Sequence, residues 1–321
     1  MTGVENRGGR TMLVTGAAGF IGSPLCARLR SHGCRVIGYD DLSRGRRERL
    51  AQDVQLIEGD VRDAARVKHT ISAFGPDCVI HLAAMHFIPD CIDRPEETMD
   101  VNVEGTRHVL EGCRGSSVRS VVFASSAAVY APTDRPCIED ATPLRPLEVY
   151  GESKLAAEQL VRAFHEETGI PMDILRLFNA IGRNETNAHV VPHILESLQR
   201  SDVVRLGNIT PRRDYIDTRD VAEAILAVAD SCDGLRVFNV GTGVAHSVKE
   251  VVEVLGRILG RTITVVEEPA RVRATERMLL VADISKIQQV TQWTPRIPLE
   301  DALADLAAAY RVRSRLQVDD R

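Results

Sequence analysis

The sequence predicts an α/β fold, a doubly wound parallel sheet with a smaller C-terminal α/β lobe. Three observations carry this reading. The first half of the chain alternates short apolar runs with amphipathic helical stretches at a regular pitch. Each run is almost continuously apolar, as expected of strands covered by helices on both faces. A glycine-rich string, Thr15-Gly16-Ala17-Ala18-Gly19-Phe20-Ile21-Gly22, joins the first run to the first helical stretch.

Taken in order, strands are predicted over 12–15, 35–39, 54–57, 78–81, 118–124 and 173–177. Helices are predicted over 20–31, 64–74, 96–113 and 153–168. Alternation of this kind implies right-handed crossovers. After Leu177 the pattern loosens. Residues 179–188 read as a polar loop, with helices over 190–199, 220–229, 248–259 and 299–310. Strands are predicted over 203–206, 237–240 and 262–266. Some of these later segments are expected to return to the main sheet.

The bulk composition excludes several classes. With 321 residues, 44% of them hydrophobic, a large core is available. A formal charge of −5 and no clustered basic face argue against a nucleic-acid partner. The arginine-dense stretch from Arg44 to Arg49 is broken by Gly45 and Glu48, and reads as a solvated loop. The seven cysteines include no Cys-x-x-Cys pair, so reduced thiols and no metal are expected. Residues 1–10 are polar and lack the apolar run of a signal peptide. No stretch approaches the roughly 20 apolar residues that cross a bilayer. A soluble, cytoplasmic protein with no membrane partner is the expectation.

The glycine string has the spacing of a dinucleotide-binding turn. Gly16 permits a tight bend, Gly19 lets the backbone approach a pyrophosphate, and Gly22 allows close helix–strand packing. Such a string alone is weak evidence, but here a strand precedes it and a helix follows. The second strand ends at Asp40, 24 positions after Gly16. A carboxylate there would accept from both ribose hydroxyls and repel a 2′-phosphate, favouring NAD over NADP. The alternative is that Asp40 only begins a turn with Asp41. Arg44, Arg46 and Arg47 nearby weigh against a strict NAD preference. Residues 1–178 with 214–244 are expected to form this NAD-binding (Rossmann) domain. Residues 179–213 with 245–321 would form the second lobe.

Tyr150-Gly151-Glu152-Ser153-Lys154 places a tyrosine and a lysine four residues apart at the start of a helix, on one face. A phenol titrates near pH 10 and needs help to act as a base. A lysine ammonium one turn away, with a positive nicotinamide ring, would lower its pKa. Ser125-Ser126-Ala127-Ala128-Val129-Tyr130 follows the fifth strand, where ligands bind at strand carboxyl ends. Either serine could share a substrate proton with Tyr150. Ser125 could equally make a strand-end hydrogen bond.

With these markers in order, the chain resembles the extended short-chain dehydrogenase/reductases, in the nucleotide-sugar epimerase branch typified by UDP-hexose 4-epimerases. The likeness runs from about Met12 to Ala308. Further markers are Gly59-Asp60-Val61, His81-Leu82-Ala83-Ala84, Asn102-Val103-Glu104-Gly105-Thr106, Arg176-Leu177-Phe178-Asn179, Arg213-Asp214-Tyr215-Ile216 and Asn239-Val240-Gly241-Thr242-Gly243. The resemblance implies cofactor contacts at Gly16, Gly19, Phe20, Ile21, Gly22, Asp40, Asp60, Val61, Leu82, Ala83, Ala84 and Asn102. It makes Ser126, Tyr150 and Lys154 catalytic, with Tyr150 and Lys154 also touching NAD. Asn179, Arg213 and Arg273 would hold a nucleotide diphosphate, for which arginines supply bidentate donors. A structural salt bridge is the competing role for each arginine, and Arg271 and Arg277 are rivals to Arg273. His86 and His189 stand near the expected sugar. His86 reads equally as a sugar ligand or a loop-packing histidine.

The reaction implied is 4-epimerisation of a nucleotide sugar, a UDP-hexose first, by transient oxidation at C4. Dehydratase and decarboxylase relatives carry an acidic group where Ala127 and Ala128 stand, so those chemistries are disfavoured. A 4-ketoreductase using exchangeable NAD(P)H is the alternative, and a non-catalytic dinucleotide sensor a second. Leu280 stands where a bulky aromatic excludes 2-acetamido sugars in some relatives. Arg183 is a candidate partner for a uronate carboxylate. The helices over 96–113 and 153–168 form a dimer interface in relatives, so a homodimer is expected.

Overall fold

A computed structural model describes residues 9–185, 187–269 and 277–316, with side chains through Arg311. The first half runs β1 (Thr11–Thr15), α1 (Gly22–Ser31), β2 (Arg35–Asp40), β3 (Gln55–Glu58), α2 (Ala64–Phe74) and β4 (Cys78–His81). Three short helical pieces follow, α3 (Ile88–Asp93), α4 (Pro95–Met99) and α5 (Gly105–Cys113), then β5 (Ser120–Ser126), α6 (Val149–Thr168) and β6 (Met172–Leu177). The second half comprises β7 (Asn179–Ile181), α7 (Val190–Leu198), β8 (Val203–Leu206), β9 (Arg212–Asp217), α8 (Thr218–Asp230) and β10 (Leu235–Val240). It ends with β11 (Ala245–Ser247), α9 (Val248–Leu259), β12 (Thr264–Glu267), β13 (Leu279–Leu280), α10 (Ser285–Thr291) and α11 (Leu299–Leu316).

Seven strands pair in parallel in the order β10-β6-β5-β4-β1-β2-β3. Side chains alternate across this sheet, because successive residues of a strand point to opposite faces. Met12 and Val14 of β1 join Leu25 and Leu29 of α1 and the apolar face of α8. Leu13 between them joins Val67 and Ile71 of α2, Val109 of α5 and Val161 of α6. Helices thus cover both faces, as the unbroken apolar runs require. This is a Rossmann-like α/β fold. A separate core of α7, α9 and α11 against β8 builds the lobe. Ile287 of α10 and Trp293 pack back against the main sheet.

Several expectations need correction. The helix expected over 96–113 is interrupted by a π-helical turn over Asp100–Glu104. That turn directs Asn102 inward, where its amide accepts from Met85 N at 2.7 Å and donates to the Met85 carbonyl at 2.9 Å. Single π turns inside helices often serve such placements. Residues 179–188 are not all loop, since β7 pairs with β9. Strands β9, β11 and β13 form a small sheet with β7 that the apolar pattern did not announce. The reason is their composition: β9 reads Arg-Arg-Asp-Tyr-Ile-Asp, and the others are two or three residues long.

A buried ion pair joins α6 to β6. Arg176 is 1% exposed and makes two hydrogen bonds to the Glu158 carboxylate, at 2.9 and 2.8 Å. Its third nitrogen donates to the Tyr130 hydroxyl at 3.0 Å and the Glu139 carbonyl at 3.1 Å. Removing one partner of such a pair strands a charge in the interior. Arg176→Met is therefore expected to lower unfolding free energy by about 3–5 kcal/mol in urea denaturation. A loss well below about 1 kcal/mol would show that the pair does not hold the two elements together.

Candidate active site

Strand order reverses at β1, which has β2 on one side and β4 on the other. Sheets of this type open a crevice at the carboxyl ends beside such a reversal. A cleft of about 1560 Å³ lies there. Thr15 and His81 stitch the two strands at its floor, with 2.7 Å between hydroxyl and imidazole. Burial drives the His81 pKa down to about 3, so the ring is neutral.

On the β1–β2–β3 side the wall begins with a glycine turn. Gly16 has φ +69°, and a Cβ there would lie 2.9 Å from Ala83 N. A Cβ on Gly22 would lie 2.0 Å from the Gly16 carbonyl oxygen, so α1 can begin this close to β1 only without one. Gly19, Phe20 and Ile21 complete the turn and face the cleft. Helix α1 starts two residues later than expected because these residues form that turn. Asp40 is 6% exposed and accepts from Ala18 N and Leu42 N, each at 2.9 Å. It also lines the cleft, so the turn and the cofactor readings describe the same side chain. Burial raises its pKa against those two hydrogen bonds. Asp60, Val61 and Leu82–Ala84 line the same side. Arg62 holds the Asp60 carboxyl below the usual range through a 2.6 Å ion pair. Arg44 is engaged by Asp90 across the cleft mouth.

On the β5–β6 side stand Ser126, Tyr150 and Lys154. Ser125 donates to the buried Glu158 carboxylate at 2.6 Å, the strand-end hydrogen bond that was its competing role. Ser126 follows it at the strand end, where its hydroxyl acts to favour ionisation of the Tyr150 phenol. Helix α6 brings Lys154 one turn beyond Tyr150. The ammonium is 3% exposed, donates to the Ala124 carbonyl at 2.8 Å and lies 5.1 Å from the Phe123 ring centroid. Burial draws its pKa down to about 8, while the fields of Cys91 and Glu158 hold it up. The Tyr150 phenol moves opposite to the sequence expectation. Enclosure raises its pKa above the ordinary value, the Ser126 hydrogen bond opposes this, and the fields of Cys91 and Glu148 add to the rise. Lys154 is turned to a backbone carbonyl, and desolvation dominates in the free chain.

The remaining wall comes from the lobe. Asn179 at the start of β7 and Arg213 on β9 face the cleft, and Arg213 donates to the Arg212 carbonyl at 3.0 Å. His86 and His189 also line it, their rings stacked with centroids 6.1 Å apart. Asn102 differs from its expected neighbours: it is 1% exposed and reaches the cleft only through Met85. Arg273 lies outside the described residues. Arg183 pairs with Asp305 at 3.3 Å and is not part of the cleft wall.

Two cleft residues, Glu148 and Glu185, were not singled out from the sequence, and Arg277 entered only as a rival to Arg273. Glu148 caps α6, accepting from Gly151 N at 3.1 Å, while its other oxygen is buried without a partner. Arg277 donates to the Ala128 and Tyr130 carbonyls at 2.8 and 3.1 Å and buries its Nε without a partner. Glu185 lies against His189. A glutamate at a helix start, where shorter side chains usually cap, was the available signal for Glu148. For Glu185 no local signal exists.

Residues 12–241 match the model of the NAD dependent epimerase/dehydratase family, and the chain belongs to that family. It is 34% identical over 319 residues to a UDP-glucose 4-epimerase of Corynebacterium glutamicum, spanning 92% of this chain and 96% of that protein. The UDP-glucose 4-epimerase of Thermotoga maritima, solved with UDP-glucose, superposes with TM-score 0.89 at 27% identity, over 95% of this chain and 99% of that one. That of Thermus thermophilus, solved with NAD, gives TM-score 0.85 at 29% identity over 94% and 99%. The glycine turn at 16–22 and Asp40 fit such a dinucleotide: a Cβ at Gly16 would fill the cradle, and the carboxylate lies at its rim.

The raised phenol is directly measurable. Ultraviolet titration of the free protein, taken as the difference from Tyr150→Phe, should place the Tyr150 ionisation above pH 10. A midpoint below that value would show that Lys154 already ionises the ring without a ligand.

Proposed function

We propose that the protein is an NAD-dependent 4-epimerase of nucleotide-activated sugars, with a UDP-hexose as the first substrate. The observation that carries this is the meeting of Ser126, at the carboxyl end of β5, with Tyr150 and the buried Lys154 one turn further along α6, in the cleft that holds the 16–22 turn. The names of the relatives support the same reaction.

Bound NAD supplies the hydride acceptor for sugar C4, and the donor that returns the hydride. The chain supplies proton handling and positioning. Tyr150 removes the proton from the 4-hydroxyl and later gives it back, with Ser126 sharing the hydrogen bond at that oxygen. The Lys154 ammonium holds the ribose and adds positive charge beneath the phenol. Asp40 accepts from the adenosine ribose, Asp60 and Val61 flank the adenine, and Leu82–Ala84 form the floor. Asn179, Arg213 and Arg273 hold the diphosphate, while the 4-keto sugar turns about that link. Ala127 and Ala128 are both buried and offer no second proton-transfer group, against elimination of water.

In this reading residues 1–178 with 214–244 bind the dinucleotide, and 179–213 with 245–321 form the sugar-nucleotide lobe, its segment 285–293 docked back on the first. A cytosolic homodimer fits as well: the seven cysteines are free, and apolar Ile92 and Met99 are exposed beside α6. Among the described residues no helix is long and apolar enough to cross a membrane.

The test is incubation of the purified protein with UDP-glucose and UDP-galactose, no cofactor added, followed by NMR. Each should yield the other, and Tyr150→Phe should slow turnover by about 10²–10⁴-fold. Product formed only with added NAD(P)H would replace this reading with 4-ketoreduction.

A further inference from the structure

His86, Glu185 and His189 meet on the lobe wall of the cleft. One nitrogen of each imidazole and one oxygen of the carboxylate all lie within 4.8 Å of one another. His86 follows β4, whereas Glu185 and His189 belong to the segment between β7 and α7. We propose that these three side chains form a site for one divalent transition-metal ion of the zinc or cobalt(II) kind. This inference does not rest on the epimerase reading.

The donor set selects the ion. Two imidazoles and a carboxylate suit zinc(II) or cobalt(II), while magnesium and calcium prefer all-oxygen shells. Metal-bound ligand atoms sit about 2.0–2.2 Å from the ion, so a cluster of this size closes with small rotations. Asn187 Nδ2 sits 3.0 Å from His86 Nε2, and rotation of that amide frees the nitrogen's lone pair or offers the amide oxygen as a further ligand.

Charge favours a cation over an anion. Glu185 is 7% exposed, with one oxygen accepting from Asn187 N at 2.8 Å and the other 3.7 Å from His189 Nε2. A buried carboxylate converging with two imidazoles repels an anionic group and attracts a metal ion. All three residues line the cleft with Asn179 and Arg213. Three protein ligands leave a position open toward that space for a substrate or water oxygen.

The full-length protein, stripped with chelator and desalted, is titrated with cobalt(II) and followed by its visible ligand-field absorption. One equivalent should bind, zinc(II) should displace it, and magnesium should not. Half-exposed His189 makes His189→Gln the safest variant for folding, checked by circular dichroism. It and His86→Gln should each weaken binding at least about 10–100-fold, the cost already seen for losing a mere supporting partner. Tyr150→Phe should bind as the parent does. No stoichiometric uptake, or uptake that both histidine variants retain, overturns the proposal.

Discussion

A lysine ammonium buried beneath the end of β5 is the constraint on which the cleft is built. Taking an unpaired charge out of water costs several kcal/mol, far more than the about 1 kcal/mol that one neutral hydrogen bond returns. The Ala124 carbonyl alone cannot keep Lys154 charged. The field of Glu158 one turn further along α6 helps to hold the proton. Glu158 is itself tolerated in the interior because Arg176 binds both of its oxygens. Arg176 then reaches Tyr130, and Tyr130 donates to Asn239 on β10 at 2.7 Å. One polar chain thereby ties β5, α6, β6 and β10 together and fixes Lys154 and Ser126 relative to each other.

The same burial explains why the chain alone is a poor base. Enclosing Tyr150 favours the neutral phenol, and the Glu148 field works in the same direction. Lys154 spends its hydrogen bond on a backbone carbonyl instead of the ring. Ionisation at position 150 therefore depends on positive charge carried into the cleft. In the proposed reaction this ties proton abstraction to occupancy, which suits chemistry that must not release a half-oxidised sugar.

How much of this could be read from the residues depends on distance along the chain. The seven long strands announce themselves because both faces of the sheet are covered, so every residue from Met12 to Val14 or Val121 to Phe123 is apolar. The glycine turn and the Tyr150–Lys154 pair are local patterns and were legible for the same reason. Strand β9 was not, because Arg212, Arg213 and Asp214 hide a strand stabilised by one carboxylate. Asp214 is fully buried and accepts from Thr242 N, Gly243 N and Ala282 N, donors brought in from distant segments. The π turn at Asn102 was equally hidden, since nothing in its spacing shows that Met85 needs both backbone groups satisfied. His86 and Glu185 stand 99 positions apart, and only folding makes them neighbours.

The two sides of the cleft are therefore made of different material. One side is built on β1 and β2, inner parallel strands where opening would break ladders on both flanks and the tight packing of α1 on β1. The lobe side is assembled from strands of two to six residues, tethered through single buried carboxylates such as Asp214 and Asp220, the latter accepting from Arg296 N and Ile297 N. Segments with few ladder bonds open at lower free energy than core strands. A rigid half and a yielding half in one cleft match what the proposed reaction demands. The dinucleotide must stay in register through both hydride transfers, while the sugar must turn over between them.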